Sequence, residues 1–185
     1  GFSERVITLP AKNDPRLSFL NLVEAHVLRA LRTVHQVPMR VVRTALRYVE
    51  RKLGIGRVLL SDELRAAPGR LLLQRIHSLI DIGQDGQLAM QAILEKYLAR
   101  LDRDMKGMPT RLYPFTRTDE SASPRIVVID PLISFGRPSI AEKGIKTSTI
   151  SDRFQAGESI SEIAQDYDLE AGQVEEAIRY EKTAA

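Results

Sequence analysis

Apolar residues recur at steps of three and four along two adjacent stretches near the start of the chain. From Leu17 to His35, Leu20, Val23, Val27, Leu31 and Val34 form one stripe, and Phe19, Leu22 and Leu28 widen it. This pattern predicts an amphipathic helix covered on more than one side. From Pro38 to Gly54 a second stripe runs through Val42, Ala45, Leu46, Val49 and Leu53. Its ends are marked by Pro38, suited to a first helical position that needs no N–H, and by Gly54, suited to a left-handed stop. Gln36 and Val37 leave only a tight turn between the two stretches, which is the outline of a helix-turn-helix.

Further along the periodicity changes. Ser61 is suited to cap a short helical turn before Pro68 and Gly69. The run RLLLQRIHSLIDIG then reads as a β-hairpin, with one strand from Arg70 to His77 and a return through Ile80 and Ile82, in the place of a wing. A third helix is predicted from Gln87 to Met105 on Leu88, Ala92, Leu94, Leu98 and Leu101. The stretch 107–124, with three prolines and the polar run TDESAS, reads as a boundary that includes an edge strand at LYPF. Beyond it, RIVVID and ISFGRPSI predict a short antiparallel pair, with Gly136 and Pro138 confining the second strand to an edge. Three short helices close the chain: one ending at Gly157, one burying Ile160, Ile163, Ala164 and Tyr167, and one burying Val174, Ala177 and Ile178. The expected fold is therefore mainly α with small β elements. A winged helix-turn-helix-like module over 1–106 and a linker over 107–124 lead to a smaller helix-turn-helix-like module with a short hairpin over 125–185.

Charge separates the two modules. Residues 1–120 hold 20 Lys and Arg against 13 Asp and Glu, whereas residues 121–185 hold 7 against 11. The imbalance concentrates on the second predicted helix, where Arg40, Arg43, Arg47 and Arg51 recur beside the apolar stripe with Glu50 as the sole acid. Such a row repels itself by a few tenths of a kcal/mol per pair unless an anionic partner neutralises it. It can follow the phosphates that flank a major groove. Arg70 and Arg75, placed on the supposed wing, are further candidate phosphate contacts. A solvated basic face, or an arginine face docked on an acidic protein, would carry the same residues. The last helix carries Glu170, Glu175, Glu176 and Glu181, which argues against phosphate binding there and for protein binding or dimerisation. Glu175, Arg179 and Tyr180 are its candidate partner contacts. Few aromatic residues are present for stacking on single-stranded bases, which lowers an RNA-binding reading.

The chemistry of an enzyme is not apparent. His26, His35 and His77 are scattered, Asp81 and Asp85 lack the spacing of a calcium loop, and Asp102 and Asp104 would point to different faces of a helix. Phosphate-cradling glycine loops and serine-nucleophile motifs are missing. The reading assigns no catalytic residue, metal or cofactor. With no cysteine and no apolar run near 20 residues, the chain is expected to be a cytoplasmic protein without a membrane span. It opens on GFSERV with no initiator methionine, which leaves room for a further DNA-binding element upstream.

One run carries more than periodicity. Asp130, Pro131, Gly136, Pro138, Ile140, Gly157, Ser159, Glu162, Ile163, Ala164 and Tyr167 resemble, in kind and order, the pattern of a small domain common in bacterial antitoxins. That family usually has Gly-Thr-Arg before its first helix, where this chain has Glu142, Lys143 and Gly144. The segments LSFLNLVEAHVLRALR, VPMRVVRTALRYV and GQLAMQAILEKYLARLD look like the portion that precedes this domain in a subgroup of VapB antitoxins. The resemblance implies an antitoxin that binds and neutralises a VapC toxin, a PIN-domain ribonuclease dependent on Mg²⁺, and represses its own operon as a homodimer on operator DNA. The alternative is an interaction or dimerisation adaptor without direct DNA binding.

Overall fold

The computed structural model describes residues 6–7, 10, 16–33, 36–80 and 83–184. The chain divides into two compact units, Gly1–Pro109 and Thr110–Ala185. As the patterning indicates, it is mainly helical with two small antiparallel sheets.

In the first unit α1 runs Phe19–Thr33. Its start is held reciprocally, as the Asn21 N–H donates to Ser18 Oγ at 3.2 Å and the Ser18 N–H donates to Asn21 Oδ1 at 3.1 Å. Val23, Val27 and Leu31 are buried as expected, whereas Val34 and His35 lie outside the described residues. Helix α2, Met39–Leu53, begins one residue after the predicted start. Pro38 sits at its cap with φ −60° and ψ 138°, and Gly54 ends it at φ +68°. Val42, Ala45, Leu46 and Val49 face the core, but Leu53 is 40% exposed. Although α1 and α2 follow one another at helix-turn-helix spacing, α2 packs principally on α3, and α1 on α4.

The predicted wing is not a hairpin. Residues 67–79 form helix α3, Ala67–Leu79, which Pro68 opens within its first turn. Proline there lacks only an N–H that would have no helical partner, so it starts this helix where the sequence reading took it as a break. Leu72, Leu73 and Ile76 then fall on one buried face, the period of a helix and not of a strand. Gly69 has no side chain for a different reason: a Cβ there would meet the Leu64 carbonyl oxygen at 1.8 Å. That carbonyl belongs to the 3-10 turn Asp62–Arg65, which Ser61 caps by accepting from the Glu63 N–H.

Helix α4 spans Gly83–Leu98 and is shorter at its end than its sequence suggests. Met90, Leu94, Tyr97 and Leu98 are buried, while Leu88 and Ala92 of the predicted stripe are exposed. The chain leaves the helix to form β1, Leu101–Arg103, and pairs with β2, Pro109–Leu112. The reason is a turn that Asp104 organises, its Oδ1 accepting from the Lys106 and Met108 N–H groups at 2.8 and 2.9 Å. His26 is a packing residue here, with Nε2 at 3.0 Å from the Tyr97 carbonyl and its ring 4.7 Å from the tyrosine ring.

The second unit pairs β3, Val127–Val128, with β4, Ser139–Ile140, in antiparallel register Val127 to Ile140 and Val128 to Ser139. Three helices follow: α5, Thr147–Gln155, α6, Ile160–Tyr167, and α7, Ala171–Ala184. Their core joins Ile140, Ile150, Ile163, Ala164, Val174, Ala177 and Ile178. Ser159 and Glu162 form a reciprocal cap at the start of α6. The hydrogen bonds from Ser159 hold the Glu162 carboxyl below its ordinary value.

Gly69→Ala is expected to destabilise the chain by about 3 kcal/mol, since the added carbon overlaps a backbone oxygen that cannot step aside. Gly172→Ala, in α7 with open space around it, is expected to be neutral or stabilising by up to about 1 kcal/mol. Urea unfolding followed by circular dichroism compares the two, and equal midpoints would refute the close approach.

Candidate nucleic-acid interface

At a rise of about 1.5 Å per residue, Arg40 to Arg51 on α2 span roughly 16 Å. Because the opposite face of α2 is committed to the core, Arg40, Arg47 and Arg51 are exposed and Arg43 is half-buried. Arg43, Arg47 and Arg51 line an open cleft of about 500 Å³ together with Glu24, Glu50, Gly54, Gly56 and Arg57. The Arg43 Nε is enclosed there without a hydrogen-bond partner. The Arg51 Nε donates to the Arg47 carbonyl at 3.3 Å, which lays its side chain along the helix.

Arginines elsewhere show what a structural role looks like. Arg57 donates through Nε and Nη2, each at 2.9 Å, to the two oxygens of Glu24, a carboxylate 2% exposed. That hydrogen bond, against a smaller cost of burial, raises the Arg57 guanidinium above its ordinary value. Arg103 pairs with Asp62, Arg111 with Asp130, and Arg153 with both Glu158 and Asp166. Among the described residues, by contrast, Arg40, Arg43 and Arg51 meet no carboxylate. Three of the four arginines of the α2 row are thus among the cations that meet no carboxylate in the described structure.

Arg70 and Arg75 stand on α3, not on a wing, and they diverge. The Arg75 guanidinium lies 4.9 Å from the centre of the Tyr48 ring of α2, and Lys52 lies 5.4 Å from the same ring. Arg75 therefore joins the edge of the α2 face. Arg70 is exposed and borders a different cleft, with Gln91, Leu94 and Glu95 of α4. The sequence reading missed Lys52 and Tyr48, although both lie within a turn of Arg51 and could have been found from helical spacing alone.

The candidate partner contacts on α7 fare unevenly. Glu175 is exposed, and Tyr180 is half-buried, its hydroxyl held above the ordinary tyrosine value by burial and the charge of Glu181. Arg179 is engaged with its neighbour Glu176. Glu176 is 1% exposed. It accepts from Thr116 Oγ1 at 2.5 Å, from Arg117 Nε at 2.8 Å and from Arg179. Burial by itself would push this carboxyl up, but hydrogen bonds from Arg117 and Thr116 and the charges of both arginines prevail and hold it below its ordinary value. The four acids that make α7 look repulsive to phosphate are therefore reduced: Glu176 is buried and paired, and half-buried Glu181 takes a hydrogen bond from Thr147. Contacts from residues 34 to 60 positions away reveal this, beyond the reach of any local pattern.

The described residues hold no cluster of three or more His, Asp or Glu able to bind a metal ion, and no described helix is long and apolar enough to cross a membrane.

Residues 127–180 match the family described as "Protein of unknown function (DUF433)". The chain is 26% identical over 186 residues to the protein named "Putative antitoxin VapB45" of Mycobacterium tuberculosis (strain ATCC 25618 / H37Rv), covering 91% of this chain and 73% of that one. It also superposes on the crystal structure of Rv2018 from Mycobacterium tuberculosis with a TM-score of 0.69 and 24% identity, over 88% of this chain and 78% of the other. The structural match shows a shared fold. The likeness to VapB antitoxins, read from the Asp130–Tyr167 motif together with the three helical segments of the first unit, is borne out.

Glu176→Gln tests the buried clamp. A depressed carboxyl contributes stability that is present above the ordinary glutamate value of about 4.3 and lost as pH falls through the lower native value. The variant is expected to lose about 1–2 kcal/mol at neutral pH, because the buried acceptor loses its charge-assisted hydrogen bonds while Arg117 and Arg179, both partly exposed, fall back on water. Its deficit relative to the parent chain should shrink as pH drops below about 4. Chemical unfolding at pH 7 and pH 3 measures this, and a deficit unchanged by pH would contradict the paired carboxylate.

Proposed function

We propose that this chain is a VapB-type antitoxin that docks on operator DNA through α2 and neutralises a VapC-like PIN-domain ribonuclease. The carrying observation is the split among its arginines. Arg57, Arg103, Arg111, Arg117 and Arg153 are matched to carboxylates, whereas Arg40, Arg43 and Arg51 on one face of α2 are not. Arg40, Arg43 and Arg51, spread over roughly 16 Å of one helix face, suit a ladder of phosphates. Arg75 and Lys52, gathered on Tyr48, extend the same surface. Arg70 belongs to the cleft between α3 and α4 and is at most a peripheral contact. The likeness to a named antitoxin over 91% of the chain supports the wider role. Two protomers on a two-fold operator would double the contacts.

A second reading, in which the same face docks an acidic protein, draws on Tyr48. An aromatic ring flanked by two cations is a common centre of protein interfaces. The two readings differ in their response to salt and to DNA sequence.

Two protomers neutralising about four phosphates each give a log–log salt slope near −7, a loss of about 10⁴ in affinity between 50 and 200 mM salt. Arg43→Ala/Arg47→Ala should bring the slope near −3.5, with the fold intact by circular dichroism. Fluorescence anisotropy on the chain's own promoter fragment and on scrambled DNA makes the measurement. A slope near −1, or no binding to either fragment, would eliminate the DNA reading of α2 and leave the acidic-protein reading.

A further inference from the structure

The loop between β3 and β4 presents two large apolar side chains to solvent, Leu132 at 94% and Phe135 at 97% exposure. Single exposed apolar residues are ordinary on a protein surface. Here two share a six-residue turn, and the turn is held. Asp130 is the anchor: it is buried, takes the Arg111 Nε on Oδ2 at 2.8 Å, and takes the Leu132 N–H on Oδ1 at 2.8 Å. Its carbonyl accepts from Ile133 at 3.0 Å, Gly136 donates to Ile133 at 3.0 Å, and Arg137 donates to Ser134 at 3.1 Å. The Ser134 hydroxyl donates across to the Gly144 carbonyl at 3.0 Å.

The backbone of this turn is costly. Ser134 and Phe135 are both left-handed, at φ +49° and +56°, immediately before Gly136 at +74°. Glycine adopts that region freely and phenylalanine does not. A phenylalanine kept in a glycine conformation, in a turn held by six hydrogen bonds, and turned out into water does nothing for the core of its own unit. Strain of this kind collects where a surface is shaped for a ligand.

We propose that Leu132 and Phe135 are the knob by which this chain docks into an apolar cleft of a partner protein whose rim carries carboxylates. The acidic rim follows from what flanks the knob. Arg137, two residues after Phe135, is exposed with no carboxylate among the described residues, whereas Arg111 is spent on Asp130. A second copy of this chain is the weaker occupant, because a two-fold contact through this knob would set Arg137 against its own equivalent. The inference rests on the antitoxin reading and deepens it, in that the partner is the PIN-domain ribonuclease and this knob is the surface that holds it.

The test uses the full chain and the purified PIN-domain ribonuclease co-encoded in its operon, with affinity by titration calorimetry. Leu132→Ser/Phe135→Gly removes both apolar side chains and places glycine where the backbone favours it, so the variant should be at least as stable as the parent. It is expected to bind the ribonuclease at least 100-fold more weakly while its DNA binding is unchanged. Arg137→Glu should weaken binding about tenfold, by setting a carboxylate against the acidic rim. Equal ribonuclease affinity in the parent and the double variant would overturn the knob and leave the antitoxin reading standing. Failure of the parent chain itself to bind the ribonuclease would overturn both. Loss of self-association in sedimentation, with ribonuclease affinity intact, would assign the surface to a second copy and refute the proposal.

Discussion

A carboxylate withdrawn from water must meet a cation, and two such carboxylates set the geometry of the two units. Glu24, inside the first unit, is reached by Asn21 Nδ2 at 3.1 Å and held on both oxygens by Arg57. Arg57 sits in the left-handed conformation just past α2, at φ +53°. The pair therefore ties the start of α1, through Ser18 and Asn21, to the chain that leaves α2. Glu176 does the same for the second unit, binding α7 to the segment around Thr116 and Arg117. Removing either cation would strand a buried charge, an error of several kcal/mol in a chain whose total stability is of order 10.

The same constraint sorts the basic residues by role. Arginines that close the fold are already matched, so the field of the first unit is set by those that are not. Arg40, Arg43 and Arg51 project their charge because the opposite face of α2 is spent on Val42, Ala45 and Val49. The number of basic residues in this unit says little by itself. What matters is how many of them the fold leaves without a counter-charge, and on which face.

The helical periods of α1, α2, α5, α6 and α7 were legible because each buries one stripe, and stripe and period are both local. The expected wing is absent for an equally local reason: Pro68 and Gly69 read as a break, although proline opens a helix readily and glycine is required by the Leu64 carbonyl. The end of α4 was overrun because Asp104 organises a turn that helical spacing does not register. Of the basic candidates, the α2 row keeps its place, whereas Arg70 and Arg75 part company because α3 turns them to different neighbours.

The amino-acid sequence by itself determined most of the helices, the caps at Ser61 and Gly54, the arginine row and the likeness to VapB antitoxins, since each depends on residue patterns along the chain. Tertiary structure alone decided which charges are spent. Glu24 meets Arg57 across 33 positions and Glu176 meets Thr116 across 60. It also decided that Leu132 and Phe135 face water, since the hydrogen bonds pinning their turn reach from Arg111 to Gly144. Burial and pairing are properties of neighbours in space, and a pattern along the chain carries no record of them.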